Sequence, residues 1–146
     1  MTKLLREYRP MNQVLEFGVS AGDNGTLKYY KHPNISFRGH NTFMRQNAEQ
    51  GGFADHYVEL PVININQIFE EYVKDGLDVL DVDAEGMDYD LLKALDTNRY
   101  KVKIICAENG ENGDVIREML ALKGYVHYMS TLENTIYVLQ EVIKDL

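Results

Sequence analysis

The chain has 146 residues, 45% of them hydrophobic and 26% charged, with a net charge of −8 and a pI near 4.9. That length fits one domain with a sizeable core, and the acidic balance disfavours nonspecific binding to nucleic acid or to an anionic membrane face, both of which would repel it. Cys106 is the single cysteine, which rules out an internal disulfide and suits a reducing compartment.

Met1-Thr2-Lys3-Leu4-Leu5-Arg6 carries charge with no apolar run behind it, so it does not read as a secretory signal. No later stretch has the ~18 apolar residues that a membrane span needs. A cytoplasmic protein is expected. The pattern predicts strands over 14–20 and 26–31, and Asp23-Asn24-Gly25 between them is a hairpin signal. From His32 to Gly52 no period is sustained. A short helix over 42–50, ended by Gly51-Gly52, is expected inside an otherwise long loop. Residues 56–63 form a strand-like run. Asn64 or Asn66 can cap a helix over 67–72, with Ile68, Phe69 and Tyr72 as its apolar stripe. A strand over 77–83 precedes a helix over 87–95 that places Met87, Leu91, Leu92 and Leu95 on one side. A third strand over 102–107 precedes a helix over 114–123, with Gly124 where a C′ glycine belongs. Strands over 125–130 and 135–139 follow, joined by a turn at Glu133-Asn134. The alternation predicts an α/β fold, a mostly parallel sheet covered by helices. The closing strand pair predicts one antiparallel strand in it.

Ligands of an open α/β sheet bind beyond the carboxyl ends of its strands. Two strands here end in acids. One ends Asp81-Val82-Asp83-Ala84-Glu85-Gly86, and alternation points Asp81, Asp83 and Glu85 to one side while the strand geometry lasts. The other ends Ala107-Glu108-Asn109-Gly110. If these strands are neighbours, their carboxylates share a crevice. There they can accept hydrogen bonds from a ribose or an amine, take a proton from a hydroxyl, or hold a hard cation. The plainer reading is solvated strand ends, with Glu85 or Asp88 supporting the next helix N-terminus. Gly86 permits a sharp turn from strand to helix.

Glu16-Phe17-Gly18-Val19-Ser20-Ala21-Gly22 matches the acid-x-Gly-x-x-x-Gly loop of many methyltransferase cofactor sites. Such a loop feeds a helix whose N-terminus faces the ligand. Here the hairpin reading is preferred, because no helix pattern follows Gly22. A helix directly after Gly22 would reverse that preference. The four histidines have no metal-ligand spacing. His32 and His40 are candidates for a substrate mouth, whereas His127 reads as a packing or surface residue. Cys106 reads as a small buried hydrophobe ahead of a catalytic thiol. Tyr29-Tyr30 fits core packing or a partner surface. No phosphate loop, serine elbow or paired CxxC is present in the sequence.

The block from Leu77 to Asp88, followed by Leu91-Leu92-Lys93-Ala94-Leu95, resembles the signature of FkbM-type methyltransferases, in which Asp-x-Glu-Gly ends a central strand ahead of a Leu-rich helix. Upstream, Leu60-Pro61-Val62-Ile63-Asn64-Ile65-Asn66 is similar to that family's lead-in. Downstream, Lys103-Ile104-Ile105-Cys106-Ala107-Glu108, Lys123-Gly124-Tyr125 and Asn134-Thr135-Ile136-Tyr137-Val138 resemble its later elements. Gly18-Val19-Ser20 and Gly25-Thr26-Leu27-Lys28-Tyr29-Tyr30 resemble the hairpin before the lead-in.

The resemblance implies a Rossmann-like methyltransferase sheet with helices on both faces. It implies a single domain over 1–146 that corresponds to the later part of the family domain, without the upstream glycine loop. It implies transfer of a methyl group from S-adenosylmethionine to a hydroxyl of a sugar or another small metabolite. Asp83 and Glu85 are then the catalytic candidates, and Asp81, Asp83, Gly86 and Glu108 the cofactor-binding ones. A noncatalytic module with the same fold is the alternative. In either case an open sheet edge favours a homo-oligomer or a companion subunit.

Overall fold

A computed structural model describes residues 2–108, 110 and 112–143. Asn109, part of one acidic strand end considered above, lies outside them. The chain opens with α1 (Thr2–Tyr8). Leu4, Leu5 and Tyr8 share one arc of this helix, and all three are exposed. Arg6 makes a surface ion pair with Glu16 at 3.6 Å.

Two strands follow, β1 (Gly18–Ser20) and β2 (Gly25–Tyr30). They do not pair with each other. Instead β3 (Tyr57–Asn64) lies between them, parallel to β1 and antiparallel to β2. The hairpin expected from Asn24-Gly25 is therefore not formed. A type I′ turn needs positive φ at both central residues, and neither Asn24 nor Gly25 has it. Asn24 is used elsewhere: its Oδ1 accepts from the Asn64 amide at 2.7 Å, and its side-chain amide donates to Gln67 Oε1 at 2.6 Å.

The segment after β2 contains a 3-10 turn over Ile35–His40, kinked at Phe37, and the expected short helix, α2 (Arg45–Gln50). Gly51 caps α2, and Gly52 takes φ +73°. Ala48 of this helix packs with Tyr30 and Phe53 into a small satellite core.

The second half follows the predicted order. Its elements are α3 (Ile65–Tyr72), β4 (Leu77–Val82), α4 (Asp88–Ala94), a short α5 (Thr97–Tyr100), β5 (Val102–Glu108), α6 (Gly113–Leu122), β6 (Tyr125–Ser130), β7 (Asn134–Leu139) and α7 (Gln140–Ile143). Asn64 is the cap of α3, its side chain accepting from the Asn66 amide at 2.8 Å. Gly124, past the end of α6, takes φ +88°, the left-handed conformation that glycine adopts without penalty. Lys123 closes α4 from the next layer: its Nζ donates to the carbonyls of Leu92, Lys93 and Leu95 at 2.8, 2.9 and 2.7 Å.

The larger sheet has the order β4-β5-β7-β6. β4 and β5 run parallel, and β7 is antiparallel to both β5 and β6. The expectation of one mostly parallel sheet is corrected: there are two sheets, both mixed, because β2 turns back along β3 and β7 inserts beside β5. Within the larger sheet β7 is the one antiparallel strand that the closing pair foretold.

The helices also depart from expectation. Those from α3 to α6 bury Phe69, Leu92, Tyr100, Ile116 and Leu120 in one core with Val82, Ile105, Ala107 and Tyr137, which share one face of the larger sheet. Each fully buried aliphatic side chain there contributes about 1.5–3 kcal/mol. The opposite face is open in part: Val79 and Met129 are 54% and 45% exposed and Ile104, Cys106 and Ile136 only partly covered, while Val138 on the same face is buried. Among the described residues α1 belongs to neither core and α2 joins the satellite core. β4 has a strand partner on one side only, and Asp78 and Asp81 stand exposed along it. Among the described residues no helix is long and apolar enough to cross a membrane.

Candidate functional site

β4 and β5 are neighbours, so their acidic ends meet as the sequence anticipated. Beyond Val82 the chain must leave the strand and enter α4 within a few residues. It does so through two successive left-handed residues, Glu85 (φ +48°) and Gly86 (φ +101°). A Cβ on Gly86 would meet Asn47 Nδ2 at 2.6 Å, so glycine answers both the conformation and the close approach.

The turn is held from both sides. Asp88, 5% exposed, accepts from the amides of Ala84 at 3.2 Å and Gly86 at 3.3 Å. It therefore holds the turn that leads into α4, whose first residue it is. Thr42 Oγ1 and Asn47 Nδ2 donate to the Glu85 carbonyl at 2.8 and 3.1 Å. Thr42 and Asn47 had no signal in the sequence beyond lying within the short helix expected over 42–50, because their role depends on a carbonyl about forty residues away.

Around this turn lies a cavity of about 590 Å³. Val19, Phe43, Ile65, Phe69, Met87 and Leu91 supply apolar wall, and Asp81, Asp83 and Glu85 supply carboxylates. No lysine or arginine belongs to its described lining. Gly86 and Glu108 are not part of that lining. Glu108 still acts on the site through charge, since it and Asp83 both raise the proton affinity of Glu85. Burial raises it most, followed by Asp83 and Glu108, while His40 pulls it down. Glu108 is itself pushed up, first by burial and then by Asp88, Asp83 and Glu133. Carboxyls raised in this way hold protons closer to neutral pH than ordinary surface acids.

A second cavity, of about 390 Å³, takes His32, Phe37, His40 and Phe53 into its lining and shares Thr42 and Glu85 with the first. The two histidines that were candidates for a substrate mouth thus flank Glu85 from the far side. His32 Nδ1 lies 3.1 Å from the Asn34 amide and 3.3 Å from the Asn34 carbonyl.

The Glu16-to-Gly22 segment behaves as a strand and a turn. Ser20 Oγ accepts from the Gly22 amide at 3.0 Å, and β2 begins at Gly25 with no helix between. Only Val19 of this segment reaches the cavity. Cys106 lies partly covered, and burial, followed by Asp81, pushes its thiol up. That is the opposite of an activated nucleophile. Among the described residues no group of three or more His, Cys, Asp or Glu is placed to hold a metal ion.

The fold is mixed α/β, and its acid-rimmed cavity lies beyond the carboxyl ends of parallel strands, the place where open α/β sheets bind their ligands. The family model of the methyltransferase FkbM domain matches residues 4–127, and the chain belongs to that family. It is a methyltransferase-like protein. No curated protein and no solved structure matches it.

Proposed function

We propose that the chain is a Rossmann-like domain that transfers a methyl group from S-adenosylmethionine to a hydroxyl of a sugar or another small metabolite, in a reducing, cytoplasmic setting. The observation that carries this reading is the cavity at the β4–α4 turn, with three acidic residues among mostly apolar walls. Its volume of about 590 Å³ lies within the range of about 300–1,000 Å³ usual for ligand pockets. The residues fit the cofactor. Apolar side chains suit an adenine ring, and carboxylates suit ribose hydroxyls and a cationic centre.

When bound, S-adenosylmethionine supplies a methyl group on a positively charged sulfonium. Asp81 and Asp83 would accept hydrogen bonds from its hydroxyls, Gly86 keeps the turn open, and Glu108 adds negative charge from β5. The acceptor hydroxyl gives its proton to Asp83, with Glu85 beside it as the second base. Most of the rate gain comes from holding the two reactants in line, and the base adds ~10²–10⁴-fold.

Asp83→Asn is expected to lower methyl transfer by that factor of ~10²–10⁴ while leaving the fold intact by circular dichroism. A folded Asp83→Asn protein with full activity would remove Asp83 from the reaction.

A second reading is favoured by two observations: no cation belongs to the described lining, and no helix N-terminus follows Gly22 to receive the cofactor's charged end. On this reading the fold serves as a binding module or as one part of a larger assembly. Calorimetric titration with S-adenosylmethionine and its demethylated product separates the two. Saturable micromolar binding supports the enzyme, and no binding at millimolar ligand by folded protein supports the module.

A further inference from the structure

Two apolar surfaces of this chain lack a partner within it. One is the open face of the β4-β5-β7-β6 sheet, where Val79 and Met129 are about half exposed and Ile104, Cys106 and Ile136 lie between. The other is the stripe of α1, where Leu4, Leu5 and Tyr8 are 56, 37 and 77% exposed and belong to neither core. A sheet containing parallel strands is ordinarily covered by helices on both faces. This chain covers one face and holds an amphipathic helix in reserve.

The charges of the two surfaces are complementary. The segment carrying α1 holds Lys3, Arg6 and Arg9 against a single acid, Glu7, in a chain whose net charge is −8. On the open face Asp81 stands beside Val79, with Glu108 following Cys106 in β5. The positions of β4, β5 and β7 that point to this face include no lysine or arginine. The ion pair that α1 makes among the described residues, Arg6 with Glu16, is exposed on both sides, and such pairs contribute little.

We propose that two copies of this chain pair by each laying α1 on the open sheet face of the other. The stretch between Tyr8 and Gly18 is largely exposed coil, and nine extended residues span about 30 Å, enough to cross to a neighbouring copy. Exchange of identical elements closes a two-fold dimer with no unpaired surface left to propagate. It also brings cations toward a cavity whose described lining has none. The pairing does not depend on the chemistry assigned to that cavity.

The test uses the full chain and its single cysteine. Light scattering coupled to size exclusion is expected to show a dimer. Replacing Leu4 and Leu5 together by Asp is expected to raise the dimer Kd by roughly 100-fold or more, since two buried leucines are lost, with the monomer fold kept by circular dichroism. Leu5→Cys is expected to cross-link to Cys106 of a second copy under mild oxidation, giving a covalent dimer that the added Cys106→Ser change abolishes. Three results would each overturn the proposal: a monomer even at millimolar concentration, a dimer indifferent to the two aspartates, or a Leu5→Cys protein whose bond closes within one chain. A covalent dimer that survives Cys106→Ser would put α1 against α1 and also sink it.

Discussion

Glu85 is where conformation and chemistry meet. Its backbone is left-handed, which costs a non-glycine residue on the order of 1–2 kcal/mol. The two hydrogen bonds on its carbonyl, from Thr42 and Asn47, hold it there. Local strain of this kind persists only where surrounding contacts over-determine it, and it concentrates at functional sites. Burial and the nearby carboxylates raise the proton affinity of Glu85 in the folded chain. Its favourable contribution to stability is therefore full below the unfolded carboxyl pKa and is lost as pH rises through the higher folded value. Glu85→Gln removes that loss. The variant is expected to melt slightly above the parent at neutral pH, with the difference vanishing below about pH 4. Thermal melts across pH 3–8 check this, and equal melting at every pH would refute it. If Glu85 also carries a proton in the reaction, the same variant gains stability and loses rate, a common trade at working sites.

At the scale of elements, Lys123 joins two layers. α4 ends with carbonyls that its own turns cannot satisfy, and three of them receive the Lys123 ammonium. Lys123→Met keeps the length of the side chain and removes the donors. A loss of about 1–3 kcal/mol in urea unfolding is expected, with faster amide exchange confined to the end of α4. Much of this second half was legible beforehand. The helices from α3 to α6, α5 excepted, carry clear apolar stripes, caps and a C′ glycine, and the strands between them are β-branched. α5 was missed because its four residues are too few to show a period, although Asp96 caps it by accepting from the Arg99 amide at 3.0 Å. α1 was met only as a charged start, since two leucines and a tyrosine make a short stripe. The hairpin at Asn24-Gly25 was misjudged because a local turn signal lost to pairing with β3, which no local window contains. Among site residues, the acids were legible because they end strands. Thr42 and Asn47 were not, because their roles are set by tertiary contact alone.

The whole molecule is a four-stranded sheet covered on one side, with a smaller three-stranded sheet and satellite core beside it. The chain belongs to the FkbM methyltransferase-domain family, and a cavity of about 590 Å³ lies at the β4–α4 turn. Yet β4 itself has a second life in this arrangement. Its sequence, Leu-Asp-Val-Leu-Asp-Val, is apolar apart from Asp78 and Asp81, and it is an outer strand. Outer strands template the addition of further strands unless charge deters it. Asp78 stays ionised further into acid than an ordinary carboxyl, because Lys103 bonds to it at 2.7 Å. Among the described residues Asp81 takes part in no ion pair. Replacing Asp81 by Val is expected to give thioflavin-positive fibrils at neutral pH under shaking, where the parent stays clear in light scattering. On this expectation Asp78 and Asp81 keep the outer edge of β4 from adding further strands.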